Sequence, residues 1–202
     1  MKPPRGNNWI QTFTGKYHYP LDARPEELDI RDIIHGCSLE NRYAGQTPLA
    51  VSVAQHQCHV FDTALALFGA RMTQVLDLDL MRIVGYEALF HDAHEGMGFR
   101  DMPAPIKRLP EFEIYRKLSD GLQQVVWEFL GIDPTPESSD LVHEADMILL
   151  ATEKRDLCSP SDYDWGPLPD PLPVTISPWS AKKSEREMFR RYKLLRSWGV
   201  YG

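Results

Sequence analysis

The chain has 202 residues, 22 Lys+Arg against 29 Asp+Glu, a formal net charge of −7, and 43% hydrophobic and 25% charged residues. Those proportions belong to a globular protein large enough to build a core without disulfides. The acidic balance argues against a nucleic-acid polymer or an anionic membrane as partner, since both present dense negative charge. Cys37, Cys58 and Cys158 are widely spaced and form no Cys-x-x-Cys pair, which excludes a zinc ribbon or thioredoxin motif and fits a cytoplasmic setting. The stretch Met1 to Asn8 leads into no apolar run, and no segment approaches the roughly 18 apolar residues that span a bilayer.

Along the chain, Thr12 to Pro20 alternates weakly and predicts a short strand or hairpin, and Asp22 to Glu27 predicts a loop. From Asp29 to about Tyr43 the spacing of Ile30, Ile33, Ile34 and Cys37 predicts a helix, with Gly45 as its stop. Thr47-Pro48 supplies a capping hydroxyl and a proline at the first helical position, so a second helix is expected from there to Phe68. Its apolar stripe contains Leu49, Val53, Val60, Ala64 and Leu67, with His56 among them. A third helix is expected from Asp79 to about Glu95, a fourth from Pro110 to Leu130, and a fifth from Ser138 to about Leu157. Ile114, Leu118, Leu122, Val125, Val126 and Phe129 form the apolar face of the fourth. Residues 159–178 hold six prolines and predict an extended arm on the surface, and Ser180 to about Trp198 predicts a basic last helix. The expectation is one all-α domain over residues 1–202, a helical bundle of roughly six helices with its core at about 29–157, a Pro-rich arm at 159–178 and a basic helix at 180–198.

Ionisable residues fall where three of these helices require apolar ones. His56 lies on the stripe of Val53 and Val60, His91 lies seven residues after Val84 with Asp92 beside it, and Asp146 lies four after Val142. A buried carboxylate must be neutral, paired or bound to a metal. Taken singly, each of these residues is more often an ordinary core or capping group. Two imidazoles and two carboxylates from three helices are explained together by one divalent ion, for which mixed nitrogen and oxygen ligands are suited.

The order His56, His91-Asp92, Asp146 resembles the HD-domain metal-dependent phosphohydrolase superfamily. Leu89 to Glu95 is similar to its HDxxE form, and Asp101 to Lys107 to the D-x-P-x-P-x-K segment of its nucleotidase branch. Ala145-Asp146, Leu150 to Leu157, Thr12 to Gly15 and Tyr19 to Asp22 resemble a phage and bacterial subgroup that includes dATP triphosphohydrolases. The resemblance implies an all-α HD-domain fold and one divalent transition metal (Co, Zn, Mn or Ni) held by His56, His91, Asp92 and Asp146. It implies Glu95 as the catalytic group that orients or deprotonates water. Arg42 and Lys107 would hold phosphate, Tyr43 would pack on sugar or base, and Asp101 would contact sugar or position Glu95. His59, His94 and His143 are expected at the surface or behind the ligands. The implied substrate is a small nucleotide: a deoxynucleoside triphosphate with dATP as first candidate, or a deoxynucleoside monophosphate cleaved by a 5′-deoxynucleotidase. A non-catalytic nucleotide-binding HD protein is the rival from another class. The family's habit implies a homo-oligomer.

Overall fold

The computed structural model describes residues 5–71 and 77–198; the first four residues of the N-terminal stretch read above lie outside them. Among the described residues there are seven α-helices and a single two-stranded hairpin. The helices are α1 (Ile30–Leu39), α2 (Val53–Arg71), α3 (Leu78–Phe90), α4 (Ala104–Lys107), α5 (Glu113–Leu130), α6 (Pro136–Asp156) and α7 (Ala181–Trp198). Strands β1 (Ile10–Gln11) and β2 (Tyr17–His18) pair antiparallel, so the expected hairpin is present ahead of an all-α body.

α2 occupies the centre because its first two turns leave almost no face open to water. Val53, Ala54, Gln55, His56, Gln57, Cys58, Val60 and Phe61 are consecutively buried apart from His59, the pattern of a helix covered on all sides. α1, α3, α6 and α7 pack around it. α6 starts where Thr135 and Ser138 cap each other reciprocally and Pro136 takes the first helical position. α7 buries Ser184, Met188, Arg191 and Leu195 at helical spacing. Its charges are therefore not all solvated: Arg191 is clamped to α2 by two bonds to the Asp62 carboxylate, at 3.0 and 2.5 Å.

The main departures from expectation occur where tertiary contacts overrule local signals. α1 stops at Leu39 rather than Tyr43, and α2 begins at Val53 rather than Thr47. The intervening loop closes on itself through an Asn41–Ser52 bridge, with the Arg42 N–H donating to Val51 O and the Val53 N–H to Glu40 O. Leu49 is left 65% exposed. α3 ends at Phe90 rather than Glu95, and the chain passes through a 3-10 turn, Ala93–Met97. On α5 the inward face is Ser119, Leu122, Val126 and Trp127, whereas Ile114 and Leu118 are exposed.

The 93–97 turn is held from three sides. His18 Nε2 bonds Met97 O at 2.9 Å. Gln123 of α5 accepts from the His94 N–H and donates to Phe90 O. α1 crosses the turn at Gly36, where an added methyl would lie 1.9 Å from Gly96 O, too close for any relaxation short of separating the two backbones. Gly36→Ala is therefore expected to destabilise the protein by about 1–3 kcal/mol or more through overpacking. A lowered urea midpoint at unchanged slope is the measurement that checks it.

Candidate metal centre

α2, the end of α3 and α6 deliver their ionisable residues to one point. The described residues whose candidate ligand atoms all lie within 4.8 Å of one another are His56, His91 and Asp146. Asp146 Oδ1 lies 3.1 Å from His56 Nε2, and Asp92 Oδ2 lies 3.3 Å from His91 Nε2. Neither nitrogen has a partner in hydrogen-bonding geometry, although both atoms are buried. Adjacent ligand atoms each about 2.0–2.2 Å from a shared ion are about 3.0–3.5 Å apart. These two nitrogen–oxygen separations therefore have the spacing of neighbouring ligands.

The tautomers fit the same reading. His91 Nδ1 donates to Ala88 O at 2.9 Å. His56 Nδ1 is 2.9 Å from Glu153 Oε1, an ionised carboxylate that can only accept. With the proton on Nδ1 in both rings, each neutral imidazole presents the Nε2 lone pair inward, the arrangement found in metal-ligating histidines. Orphaned buried nitrogens and a mixed imidazole–carboxylate donor set together fit a divalent ion. His56, His91 and Asp146 would hold it, with Asp92 adjacent through His91.

Glu153 is the residue that sequence reasoning passed over. Its side chain is 1% exposed. It accepts from Arg42 Nε at 3.0 Å, from the Tyr43 hydroxyl at 2.6 Å and from His56 Nδ1. Burial opposes its ionisation, but Arg42 and then His56 hold its pKa down to about 2. It sits seven residues after Asp146 on α6, hence on the same helix face, and that spacing was the available signal.

The loop carrying Arg42 and Tyr43 is locally strained. Tyr43 and Ala44 have φ of 59° and 51°, a left-handed pair that side-chain-bearing residues seldom adopt. Glu153 fixes the Tyr43 hydroxyl, and Asp101 Oδ2 accepts from the Tyr43 N–H at 2.8 Å. Asp101 thus positions this loop. Arg42 is buried, with Nη1 3.7 Å from Asp92. Lys107 lies at the end of α4 and is half-buried.

Glu95 is buried in the 93–97 turn, and its Oε2 has no partner. Burial, then the carboxylates of Asp92 and Asp101, push its pKa well above the usual carboxylate range, while Arg42 and Lys107 pull the other way. Because α3 ends at Phe90, Glu95 reaches this position on the 3-10 turn and not one α-helical turn beyond His91. His94, expected at the surface or behind the ligands, is buried and 5% exposed, with Nδ1 bonded to Gln123 Oε1 at 3.0 Å. His143 is exposed, as expected, and His59 is half-buried.

For His56, burial and Arg42 favour the neutral ring, but Glu153 and Asp146 outweigh them and raise its pKa to about 9. A group raised in the folded state stabilises fully below its ordinary value and loses that contribution above its folded one. In metal-free protein the His56 contribution is therefore complete below pH 6.5 and lost as pH rises through about 9. A divalent ion competes with the same proton, so its apparent affinity climbs over that interval. In chelator the urea midpoint is expected to fall between those pH values, and the upward shift on adding Co²⁺ is expected to grow. A Co²⁺-induced shift independent of pH would contradict this.

Fold and site together define an all-α protein with a candidate divalent-metal centre between three elements. No family model matches the chain. It is similar to "Uncharacterized protein YfdR" of Escherichia coli (strain K12), with 32% identity over 169 residues that cover 83% of this chain and 82% of that protein. The chain belongs to the same family as YfdR. No helix among the described residues is long and apolar enough to cross a membrane.

Proposed function

We propose that the protein is an HD-domain, metal-dependent nucleotide phosphohydrolase, acting as a deoxynucleoside triphosphate triphosphohydrolase with dATP as first candidate. The observation that carries this reading is the convergence of two buried, unpartnered imidazole Nε2 atoms with the Asp146 carboxylate. Arg42 and Lys107 add the cations that a phosphate ester requires in a chain of net charge −7.

A divalent ion bound by these ligands lowers the pKa of water and polarises a phosphoryl oxygen. The remaining work falls to the chain itself. Arg42, immobilised through Nε by Glu153, holds a phosphoryl group in fixed orientation. Lys107 offsets further phosphate charge. Glu95, whose Oε2 has no partner, accepts in its ionised form a proton from water and returns it to the ester oxygen that leaves. Balanced over the reaction, water adds oxygen to phosphorus, the phosphorus–oxygen bond to the nucleoside breaks, and the nucleoside hydroxyl gains the proton.

The test is product analysis of dATP and dAMP with the chelator-treated protein, before and after Co²⁺ or Mn²⁺ is restored. The expected products from dATP are deoxyadenosine and tripolyphosphate, formed only with metal. Orthophosphate from dAMP and nothing from dATP would replace the triphosphohydrolase with a 5′-deoxynucleotidase. Metal and nucleotide binding with no product from either would leave a non-catalytic binding protein.

A further inference from the structure

The Pro-rich arm is tied down over only part of its length. From Leu172 onward it is fastened to the core. Leu172 N–H donates to Thr152 Oγ1, and Arg155 donates to the carbonyls of Leu172 and Val174. Ile176 N–H donates to Asp156, and Gln55 bonds Ser177 O and the Trp179 N–H. Residues 159–167, by contrast, are exposed throughout. Within that exposed stretch, one side chain turns back onto the metal centre's rim: the Trp165 ring lies 6.1 Å from the Tyr43 ring at 49°, and Lys154 Nζ lies 5.3 Å from the indole. The placement is set locally by Asp164 Oδ1, which accepts from the Gly166 N–H, and by the left-handed φ of 83° at Gly166.

An indole that merely anchored the arm would be expected to bury itself, yet Trp165 is 39% exposed. Its neighbours lead directly to the site. The Arg42 guanidinium lies 5.3 Å from the centre of the Tyr43 ring, and its Nη1 is 3.7 Å from Asp92. The arm supplies no cation of its own for a phosphate; the ammonium beside Trp165 belongs to Lys154 of α6. Between residues 159 and 171 it carries Asp162, Asp164 and Asp170 and no Lys or Arg. The phosphate end of a ligand is attracted to Arg42 and Lys107 and repelled by the arm, so the arm meets whatever the phosphate is attached to. The exposed aromatic there is suited to a planar heterocycle, because base–aromatic stacking needs only a shared flat face.

We infer that Trp165, together with Tyr43, forms the stacking wall for the base of a nucleotide whose phosphate lies toward Arg42, so that the arm determines specificity for base-bearing over base-free phosphates. The phosphate end of this assignment rests on the phosphohydrolase reading; the aromatic end does not. The test therefore uses probes that carry one end each. The protein is labelled with 5-fluorotryptophan, and the Trp165 resonance among the five tryptophans is identified by its loss in Trp165→Phe. Titration with deoxyadenosine is expected to shift that resonance more than the other four. By calorimetry, Trp165→Ala is expected to weaken deoxyadenosine binding on the order of tenfold, the scale of one stacked base, and Trp165→Phe to recover most of it. Binding of inorganic tripolyphosphate is expected to be unchanged in both.

A Trp165 resonance unmoved by deoxyadenosine overturns the inference. So does a loss of tripolyphosphate affinity equal to the loss for deoxyadenosine, since the arm would then merely order the site. A shifted resonance without release of tripolyphosphate or phosphate from any nucleotide would uphold the stacking wall and defeat the phosphohydrolase reading. Release of tripolyphosphate or phosphate with an unmoved resonance would do the reverse.

Discussion

Glu153→Ala is expected to destabilise the protein by about 3–5 kcal/mol and to weaken its hold on a divalent ion by on the order of 10- to 100-fold. The first effect follows from what the carboxylate leaves behind. Arg42 is buried, and Glu153 accepts from its Nε at 3.0 Å. Asp92, at 3.7 Å, is too distant to replace a direct hydrogen-bonded partner. Removing one member of such a pair costs far more than the pair contributes net, because an uncompensated charge stays buried. The Tyr43 hydroxyl loses its acceptor too, in a loop already holding two left-handed residues. The second effect follows from His56, whose ring is oriented by Glu153 through Nδ1; without that acceptor the tautomer presenting Nε2 is no longer enforced. Glu153→Gln keeps the volume and one acceptor oxygen, so it is expected to remain folded while still losing metal affinity. Urea unfolding in chelator reads the first effect and Co²⁺ titration the second. An alanine variant as stable and as tightly metal-binding as the wild type would refute the role assigned to Glu153.

His91→Ala is expected to abolish metal-dependent stabilisation and all metal-dependent turnover. A ligand that binds only the folded state stabilises it by about 2.7 kcal/mol when present at 100 times its dissociation constant. The wild type should gain that amount on addition of Co²⁺ and the variant none. His91 is a cleaner probe than His56 because its Nδ1 bonds a backbone carbonyl rather than a fully buried carboxylate; its removal leaves only Asp92, 3.3 Å from its Nε2 and partly exposed, without a neighbour. Comparing each protein with itself, with and without metal, cancels the packing cost of the truncation. Retention of the full Co²⁺-induced shift by His91→Ala would show that the ion binds elsewhere.

The helical character of the fold was legible because α1, α5, α6 and α7 each bury residues at helical spacing, with Asp29 capping α1, Thr135 and Ser138 capping α6, and Gly131 closing α5. Their neighbours were harder for physical reasons. Thr47-Pro48 has the chemistry of a helix start, but residues 47–52 are captured by the Asn41–Ser52 bridge, a contact no local signal encodes. The apolar period of α3 runs on past Phe90, whereas the backbone turns there to bring Glu95 in from a 3-10 turn. Of the candidate site, His56, His91 and Asp146 were legible as ionisable residues on apolar stripes, and they do converge. Arg42 and Tyr43 are joined to the site by Glu153, which lies 111 and 110 residues away in sequence. Flanked by Lys154 and Arg155, Glu153 has the local appearance of a solvated charge; its seven-residue spacing from Asp146 is the local sign that it faces the site, and the distant partners account for its burial. Trp165 was invisible for a different reason: the proline-rich stretch has no period from which to read a side chain's direction.

X-ray absorption spectroscopy of the Co²⁺-loaded protein at stoichiometric metal tests directly whether His56 and His91 hold the ion. First-sphere nitrogen and oxygen are expected, with the outer-shell scattering of two imidazoles contributed by His56 and His91. This scattering is expected to weaken or disappear in His91→Ala. A wild-type spectrum with oxygen ligands alone, or one unchanged by the substitution, would contradict this assignment.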